Sequence, residues 1–268
     1  MTRARRPVLS KAGAGRGDYG IDAPRALITI ALPGVAALAV AAVGIALGWA
    51  PGPVAALGAV VVVVDLAIVG TFLYATRVGK HRVWAEVLNS LMWRGDELGL
   101  DLGCGRGAVL IALARRLPRG HVTGLDIWDR VDQSGNAEAV TQRNAVAEGV
   151  ADRVTVDTGD IRDLDFPTGT FDVVTTSLVL HNLRTPDDRK LVLQSAMDVL
   201  KPGGHLLVAD IRNIDEYKLV LEQCGAEILA VRNFGVRACF GIPRLRLIVA
   251  SKPCSKVAVE SDEHHVRN

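Results

Sequence analysis

The chain has 268 residues, enough for one domain of ordinary size and an appendage. Its 31 Lys and Arg residues nearly balance its 29 Asp and Glu residues, which excludes a broad nucleic-acid-binding surface because such a surface needs a basic excess. The four cysteines form no C-x-x-C pair and have no histidine at zinc-ligand spacing, so we expect reduced thiols and no metal site.

Two apolar runs near the N-terminus predict a helical hairpin that spans a membrane, which we assign to residues 26–76. Residues 26–49 carry no charge and form a helix of roughly 36 Å, longer than a hydrocarbon core of about 30 Å. Residues 54–75 form a second run, which is broken only by Asp65. Core helices of a soluble protein are the alternative, but such helices rarely run so long without a polar face. A cleaved signal peptide is disfavoured because a second apolar run follows the first.

The flanks of the hairpin predict its orientation. The tail of residues 1–25 and the stretch after the second run are basic, whereas the turn between the runs is uncharged. The positive-inside rule then places both termini and the C-terminal domain in the cytoplasm. Gly44 and Gly48 have the spacing of a helix-packing pair, which would support a homo-oligomer, or they reflect simple Ala and Gly richness. Asp65 has either a functional role or a hydrogen bond within the hairpin or between protomers.

Residues 77–95 predict an amphipathic connecting helix. Val83, Trp84, Val87 and Leu88 recur at helical spacing between charged residues. The helix either lies on the membrane surface or caps the domain that follows.

Residues 96–254 alternate short apolar runs with helical patterns, which predicts an α/β domain with a mostly parallel sheet. We expect Ser134 or Asn136 to cap the second helix of the domain and the polar residues 255–268 to be disordered. The predicted strands lie at 97–102, 121–126, 153–157, 171–178, 205–210, 226–232 and 244–250, and the predicted helices at 108–117, 136–148, 187–200 and 214–224.

Asp101, Gly103, Gly105 and Gly107 mark the turn between the first strand and its helix. Glycines let the backbone turn tightly and let a ligand approach it, and the helix directs its first N–H groups at that ligand. A dinucleotide-binding loop has its third glycine one residue later, which disfavours a nucleotide-dependent oxidoreductase. The pattern Asp-x-Gly-x-Gly-x-Gly resembles the first motif of the class I S-adenosylmethionine-dependent methyltransferases.

Later segments are similar to that family in the same order. The resemblance covers residues 97–253 and implies a Rossmann-like fold, with a seven-stranded sheet, helices on both faces and S-adenosylmethionine as cofactor. The matching segments are Gly124-Leu125-Asp126, Gly159-Asp160-Ile161, Phe171-Asp172-Val173-Val174 and Leu200-Lys201-Pro202-Gly203-Gly204.

The resemblance implies roles for individual residues. Asp101 lies near the amino-acid part of the cofactor, Asp160 bonds the adenine amino group, and Ile127 and Trp128 wall the adenine. Asp126 can accept both ribose hydroxyl protons because a carboxylate offers two oxygens. The whole expected cofactor site is Asp101, Gly103, Cys104 (a small spacer), Gly105, Arg106, Gly107, Asp126, Ile127, Trp128, Gly159, Asp160, Ile161 and Ser177.

Two residues are candidates for catalysis. His181 follows the fourth strand, at the edge that faces the acceptor in the family, and either acts as a general base or shapes the site. Asp210, which ends the fifth strand, is the second candidate. The cysteines do not have the arrangement of the arsenite methyltransferases of this class.

The hairpin predicts the kind of methyl acceptor. It would hold the active site at the bilayer, which favours a lipid, a quinone-like compound or another hydrophobic small molecule. The alternative is a catalytically silent cofactor-binding protein that acts as a membrane scaffold or sensor.

Overall fold

The computed structural model describes residues 17–48 and 52–254. Most of the basic N-terminal tail, the centre of the hairpin turn and the predicted disordered tail lie outside the described residues. Within them are two helices long and apolar enough to cross a membrane, α1 (Pro24–Ala46) and α2 (Pro53–Tyr74). Only 6% of the most apolar window of the first and 11% of that of the second are buried, unlike the core helices of a soluble protein.

The two helices approach closely where Gly34 faces Asp65. A Cβ atom built on Gly34 would lie 2.5 Å from Asp65 Oδ2, so a larger residue would displace the Asp65 side chain from this position. Asp65 is 7% exposed, and its carboxyl has no hydrogen-bond partner among the described residues. The expected Gly44 and Gly48 pair does not lie within one helix, because α1 ends at Ala46 and Gly48 has a φ of +70°.

The chain continues from α2 through one turn of π-helix (Ala75–Gly79) into α3 (Lys80–Asn89). The predicted connecting helix is thus an extension of α2. Its apolar stripe is buried against the sheet domain, and Trp84 Nε1 donates to Ser177 Oγ at 3.0 Å. Of the two alternatives for this helix, the structure shows the domain cap.

Seven strands and four helices form the domain that follows α3. The strands are β1 (Leu98–Leu102), β2 (His121–Asp126), β3 (Val154–Thr158), β4 (Phe171–Ser177), β5 (Leu200–Asp210), β6 (Glu227–Asn233) and β7 (Arg246–Ser251), and the helices of the domain are α4 (Ala108–Ala114), α5 (Glu138–Ala147), α6 (Pro186–Val199) and α7 (Ile214–Gln223). The strands form one sheet in the order β3-β2-β1-β4-β5-β7-β6, in which only β7 runs opposite to the other six, and the predicted fold class is confirmed. The strand order reverses between β1 and β4, and ligands of open α/β sheets bind at such a switch point.

Two local predictions are wrong. The fifth strand, predicted at residues 205–210, begins at Leu200, and a register shift between Phe171 and Val173 accommodates the added residues in the sheet. Neither Ser134 nor Asn136 caps α5, whose N-cap is Ala137 without a side-chain hydrogen bond. Tertiary contacts use both side chains: Ser134 Oγ accepts from Ile21 N, and Asn136 Nδ2 donates to Asp126.

Candidate active site

One large cavity of about 1210 Å³ opens at the switch point of the sheet and continues along the helical hairpin. We call the part beside the sheet the polar end and the part beside the hairpin the apolar end. The polar end is lined by Asp101, Gly103, Asp126, Asp160, Ser177 and His181, and the apolar end by Ile30, Pro33, Val64, Ile68, Phe72 and Phe240.

The glycine loop lies between β1 and α4. Gly103 and Gly105 have φ angles of +69° and +51°, and a Cβ atom on Gly103 would lie 2.3 Å from the side chain of Val179. Other residues adopt this conformation only with strain, and here they would also collide with a neighbour. Gly103 N donates to the Leu125 carbonyl at 2.8 Å, so the loop is fixed to β2.

The carboxylate of Asp126 holds the second half of this loop. It accepts from Gly105 N at 2.8 Å, from Trp128 N at 2.6 Å and from Asn136 Nδ2 at 3.2 Å. Asp126 is 8% exposed and lines the cavity. Since two carboxylate oxygens offer about four lone-pair positions, three donors leave room for one from a ligand.

Asp101 lies at the floor of the polar end. It accepts from Thr175 Oγ1 at 2.7 Å, and burial raises the pKa of its carboxyl to about 7. Burial also raises the pKa of the neighbouring Cys104 thiol well above its ordinary value, so this thiol is neutral and not a nucleophile at pH 7.

The structure brings most of the expected cofactor residues to the cavity. Ile127, Asp160 and Ile161 line it together with Asp101, Gly103, Cys104, Gly105, Asp126 and Ser177. The Asp160 carboxylate binds the Arg162 guanidinium at 2.6 Å, which lowers the pKa of Asp160 below its ordinary value. Asp160 therefore presents a charged acceptor at the rim.

Four of the expected residues lie behind the cavity wall. Trp128 has a left-handed backbone, with φ 64°, and its Nε1 donates to Thr158 Oγ1 at 2.7 Å. The buried side chain of Arg106 points away from the cavity, where its guanidinium donates to the Ser134 carbonyl and binds Asp18 at 2.6 Å. The other two are Gly107, which is the N-cap of α4, and Gly159.

His181 and Asp210, the two catalytic candidates, lie side by side after β4 and at the end of β5. His181 Nδ1 is 2.6 Å from Asp210 Oδ1, and His181 N donates to Asp210 Oδ2 at 3.1 Å. Asp210 is 1% exposed and also accepts from Ile211 N and Tyr217 Oη. These contacts fix the imidazole, and His181 Nε2 has no hydrogen-bond partner among the described residues.

A strap formed by residues 17–23 crosses the glycine loop, and no motif or periodic pattern in the sequence predicts it. Its Asp22 accepts from Thr76 Oγ1 at 2.6 Å and from Gln133 Nε2 at 3.0 Å, and binds the buried Lys80 ammonium at 2.7 Å. Gln133 in turn accepts from Arg106 N at 2.8 Å. The start of α1 and the end of α2 are thereby tied to the loop.

Comparison with known proteins agrees with this geometry. Residues 100–208 match the model of a family described as a methyltransferase domain. This segment is therefore similar to a methyltransferase domain, in agreement with the resemblance of the glycine loop to the class I S-adenosylmethionine-dependent family.

Individual curated proteins are similar to this chain over about half of its length. A ubiquinone/menaquinone biosynthesis C-methyltransferase, UbiE, of Roseobacter denitrificans is 33% identical over 138 residues, 51% of this chain and 52% of the relative. The nocamycin O-methyltransferase of Saccharothrix syringae is 34% identical over 158 residues, 58% of this chain and 52% of the relative. The chain thus spans about half the length of the curated relatives it matches.

A solved structure supports the fold alone. The [4+2]-cyclase SpnF superimposes with a TM-score of 0.54 at 19% identity, over 65% of this chain and 81% of that chain.

The residues at the polar end fit the cofactor of this class. The positive φ angles at Gly103 and Gly105 keep the loop free of side chains, Asp126 has acceptor capacity left, and Asp101 is a buried acid that a cationic amino group would complement.

Proposed function

We propose that this protein is a membrane-anchored S-adenosylmethionine-dependent methyltransferase whose acceptor is a hydrophobic, lipid-like small molecule. The main support for the proposal is that residues of the glycine loop and residues of the hairpin line one continuous cavity. An acceptor that reaches the polar end then lies along apolar side chains of both helices. The quinone-pathway name of a relative agrees with such an acceptor.

We assign the cofactor to the polar end. Asp101 would face its amino group, Asp126 its ribose and Asp160 the adenine amino group, with Ile127 and Ile161 as apolar walls. When bound, S-adenosylmethionine supplies an activated methyl group. The protein's part is to align the acceptor with that group, and such alignment contributes several kcal/mol.

His181 is the proposed general base. Asp210 holds Nδ1, which directs the proton to that nitrogen and leaves Nε2 to take a proton from a hydroxyl or an acidic carbon of the acceptor. The buried carboxylate also stabilises the imidazolium that forms. Asp210 is thus a positioning residue, and His181 is the group that touches the acceptor.

The proposed topology places the hairpin of residues 26–76 in the bilayer, with the connecting helix of residues 77–95 and the domain of residues 96–254 on one side. Arg25, Arg77 and Arg82 flank the hairpin on the side of the domain, which makes that side the cytoplasm. We further propose that copies of the chain associate through the hairpin. Extraction by detergent, and not by carbonate, tests the anchoring, and the mass of the solubilised protein tests the association.

The proposed activity is tested by incubating membranes that contain the protein with methyl-labelled S-adenosylmethionine and cellular lipid extract, followed by mass spectrometry. We expect label in a lipid-soluble product, and labelling that is roughly 10²- to 10⁴-fold slower with the His181→Ala variant. A silent scaffold would bind S-adenosylhomocysteine in calorimetry and transfer no label. A reaction other than methyl transfer, such as that named for the cyclase of the same fold, would change the lipid without label.

A further inference from the structure

The segment between β6 and β7, residues 234–245, forms a finger that follows the hairpin. At its base, a Cβ atom on Gly79 would lie 2.3 Å from the carbonyl oxygen of Arg237. Further along, the rings of Phe240 and Phe72 pack edge to face with centroids 5.9 Å apart.

The tip of the finger is Gly241 and Ile242. A Cβ atom on Gly241 would lie 3.1 Å from Ile30 Cδ1 and 3.4 Å from Ile68 Cγ2, so the tip contacts both helices of the hairpin. Between Gly79 and Ile68 the helix rises about 16 Å, at about 1.5 Å per residue, and the finger covers that distance.

The depth of the tip follows from the polar residues of the hairpin. Tyr74 and Arg82 are joined by a hydrogen bond of 3.2 Å, and this pair of residue types is favoured at a membrane interface. Ile68 lies six residues before Tyr74 in α2, which is about 9 Å deeper. With the hairpin in the bilayer as proposed, the tip of the finger would lie at the depth of lipid acyl chains.

Internal hydrogen bonds pair part of the backbone of the finger, and such pairing lowers the cost of placing a segment in lipid. Phe240 N donates to the Pro243 carbonyl at 2.8 Å, and Leu245 N donates to the Ala238 carbonyl at 2.9 Å. The Cys239 thiol lies 3.2 Å from the Gly241 carbonyl oxygen and 3.6 Å from that of Ile242, so its one S–H is a weak donor that the two carbonyls of the tip share.

The side chains of the finger suit a membrane surface. Ile242 is 78% exposed at the tip, and Arg237 and Arg244 are exposed at the base, where lipid headgroups would lie. Phe240, Ile242 and Pro243 also line the apolar end of the cavity.

From these observations we infer that the finger inserts into the cytoplasmic leaflet beside the hairpin and forms the lipid-side wall of the acceptor cavity. The partner of this surface is the acyl region of the bilayer. The inference rests on the proposed membrane-spanning hairpin, and it adds a second segment of the chain that reaches the acyl region beside the acceptor cavity.

The test places an environment-sensitive fluorophore on single cysteines of the full chain, in nanodiscs of phosphatidylcholine and phosphatidylglycerol. Cys224 and Cys254, which are accessible, are first replaced by serine. The labelled variants are Ile242→Cys for the finger, Ile28→Cys as a depth standard on α1, and Leu219→Cys on α7 as a control. The three native side chains are 78%, 65% and 56% exposed.

Quenching by lipids that carry a nitroxide high on the acyl chain measures the depth of each label. We expect the labels at Ile242 and Ile28 to be quenched to within a factor of two of each other, and the label at Leu219 to be unaffected. Quenching at Ile28 but not at Ile242 would overturn the inference and leave the hairpin in the membrane. No quenching at Ile28 would instead overturn the proposed anchoring.

Discussion

The two ends of the cavity are built on different principles. At the polar end each carboxylate has its own donors, as Asp126 has in Gly105, Trp128 and Asn136. At the apolar end the walls are aliphatic and aromatic, and the carboxyl of Asp65 has no donor among the described residues. A polar site strongly rejects a ligand that lacks one of the expected hydrogen-bonding groups, because a buried partner is then left unpaired. An apolar pocket discriminates far less strongly against a ligand that is one methylene shorter. We therefore expect narrow cofactor specificity and broad acceptor tolerance.

The largest effect is expected where the two ends meet, at His181. The His181→Ala variant removes the proposed base, so turnover should fall roughly 10²- to 10⁴-fold while affinity for S-adenosylhomocysteine is unchanged. The measurements are label transfer to lipid extract and calorimetry. Asp210→Asn should give a smaller loss, because the imidazole keeps its place but loses its charged partner. Unchanged turnover of His181→Ala would mean that the acceptor needs no base.

The polar end by itself is tested at Asp126. The Asp126→Ala variant removes a charged acceptor from the loop and from the ligand, so affinity for S-adenosylhomocysteine should fall about 100-fold. Calorimetry measures this, with Asp163→Ala as control, because Asp163 is an exposed acid of the same domain that does not line the cavity. If Asp126→Ala and Asp163→Ala bind S-adenosylhomocysteine equally well, Asp126 does not contact the ribose, and the polar end does not depend on its individual hydrogen bonds.

The contrast between the ends also explains how much the sequence predicts. The polar end is encoded by short segments that each follow a strand, so the fold and the position of the glycine loop can be predicted from local spacing. The pairing of His181 with Asp210 cannot be predicted from local spacing, because it depends on the adjacency of β4 and β5 in the sheet. The strap of residues 17–23 has no periodic pattern, and it contacts Ser134 and Gln133, which are distant in the sequence. Because the sequence does not show these contacts, the position of Ser134 just before a helix suggests a cap.

The pH dependence of cofactor binding tests the role of Asp101 at the polar end. Since the pKa of Asp101 is about 7 in the folded protein, its carboxyl is protonated below that pH and charged above it. A cationic amino group prefers the charged form, so affinity for S-adenosylhomocysteine should fall as the pH falls, by about tenfold from pH 8 to pH 6. Calorimetry over this range measures it, and Asp101→Asn should remove the dependence.

The Asp101 carboxyl should make stability and cofactor affinity change in opposite directions as the pH rises. The unfolded chain loses this proton near pH 3.8 and the folded chain near pH 7, so the free energy of unfolding should decrease as the pH rises between these values. Chemical denaturation of Asp101→Asn, compared with the parent chain, isolates this contribution. A parent chain whose affinity and stability both rise with pH would contradict the buried position of Asp101.

The smallest effect is expected at the apolar end, and adjacent valines of α2 provide a matched pair. Val64 lines the cavity, whereas Val63 does not and is 66% exposed on the outside of the hairpin. Val64→Phe narrows the space for an acceptor chain, so the labelled products should shift roughly threefold to tenfold towards shorter chains, with cofactor affinity unchanged. Val63→Phe adds the same volume on the outer face and should leave the product distribution as it was. Equal product distributions in the two variants would mean that the hairpin anchors the enzyme without selecting its acceptor, and the apolar end would then have no role in specificity.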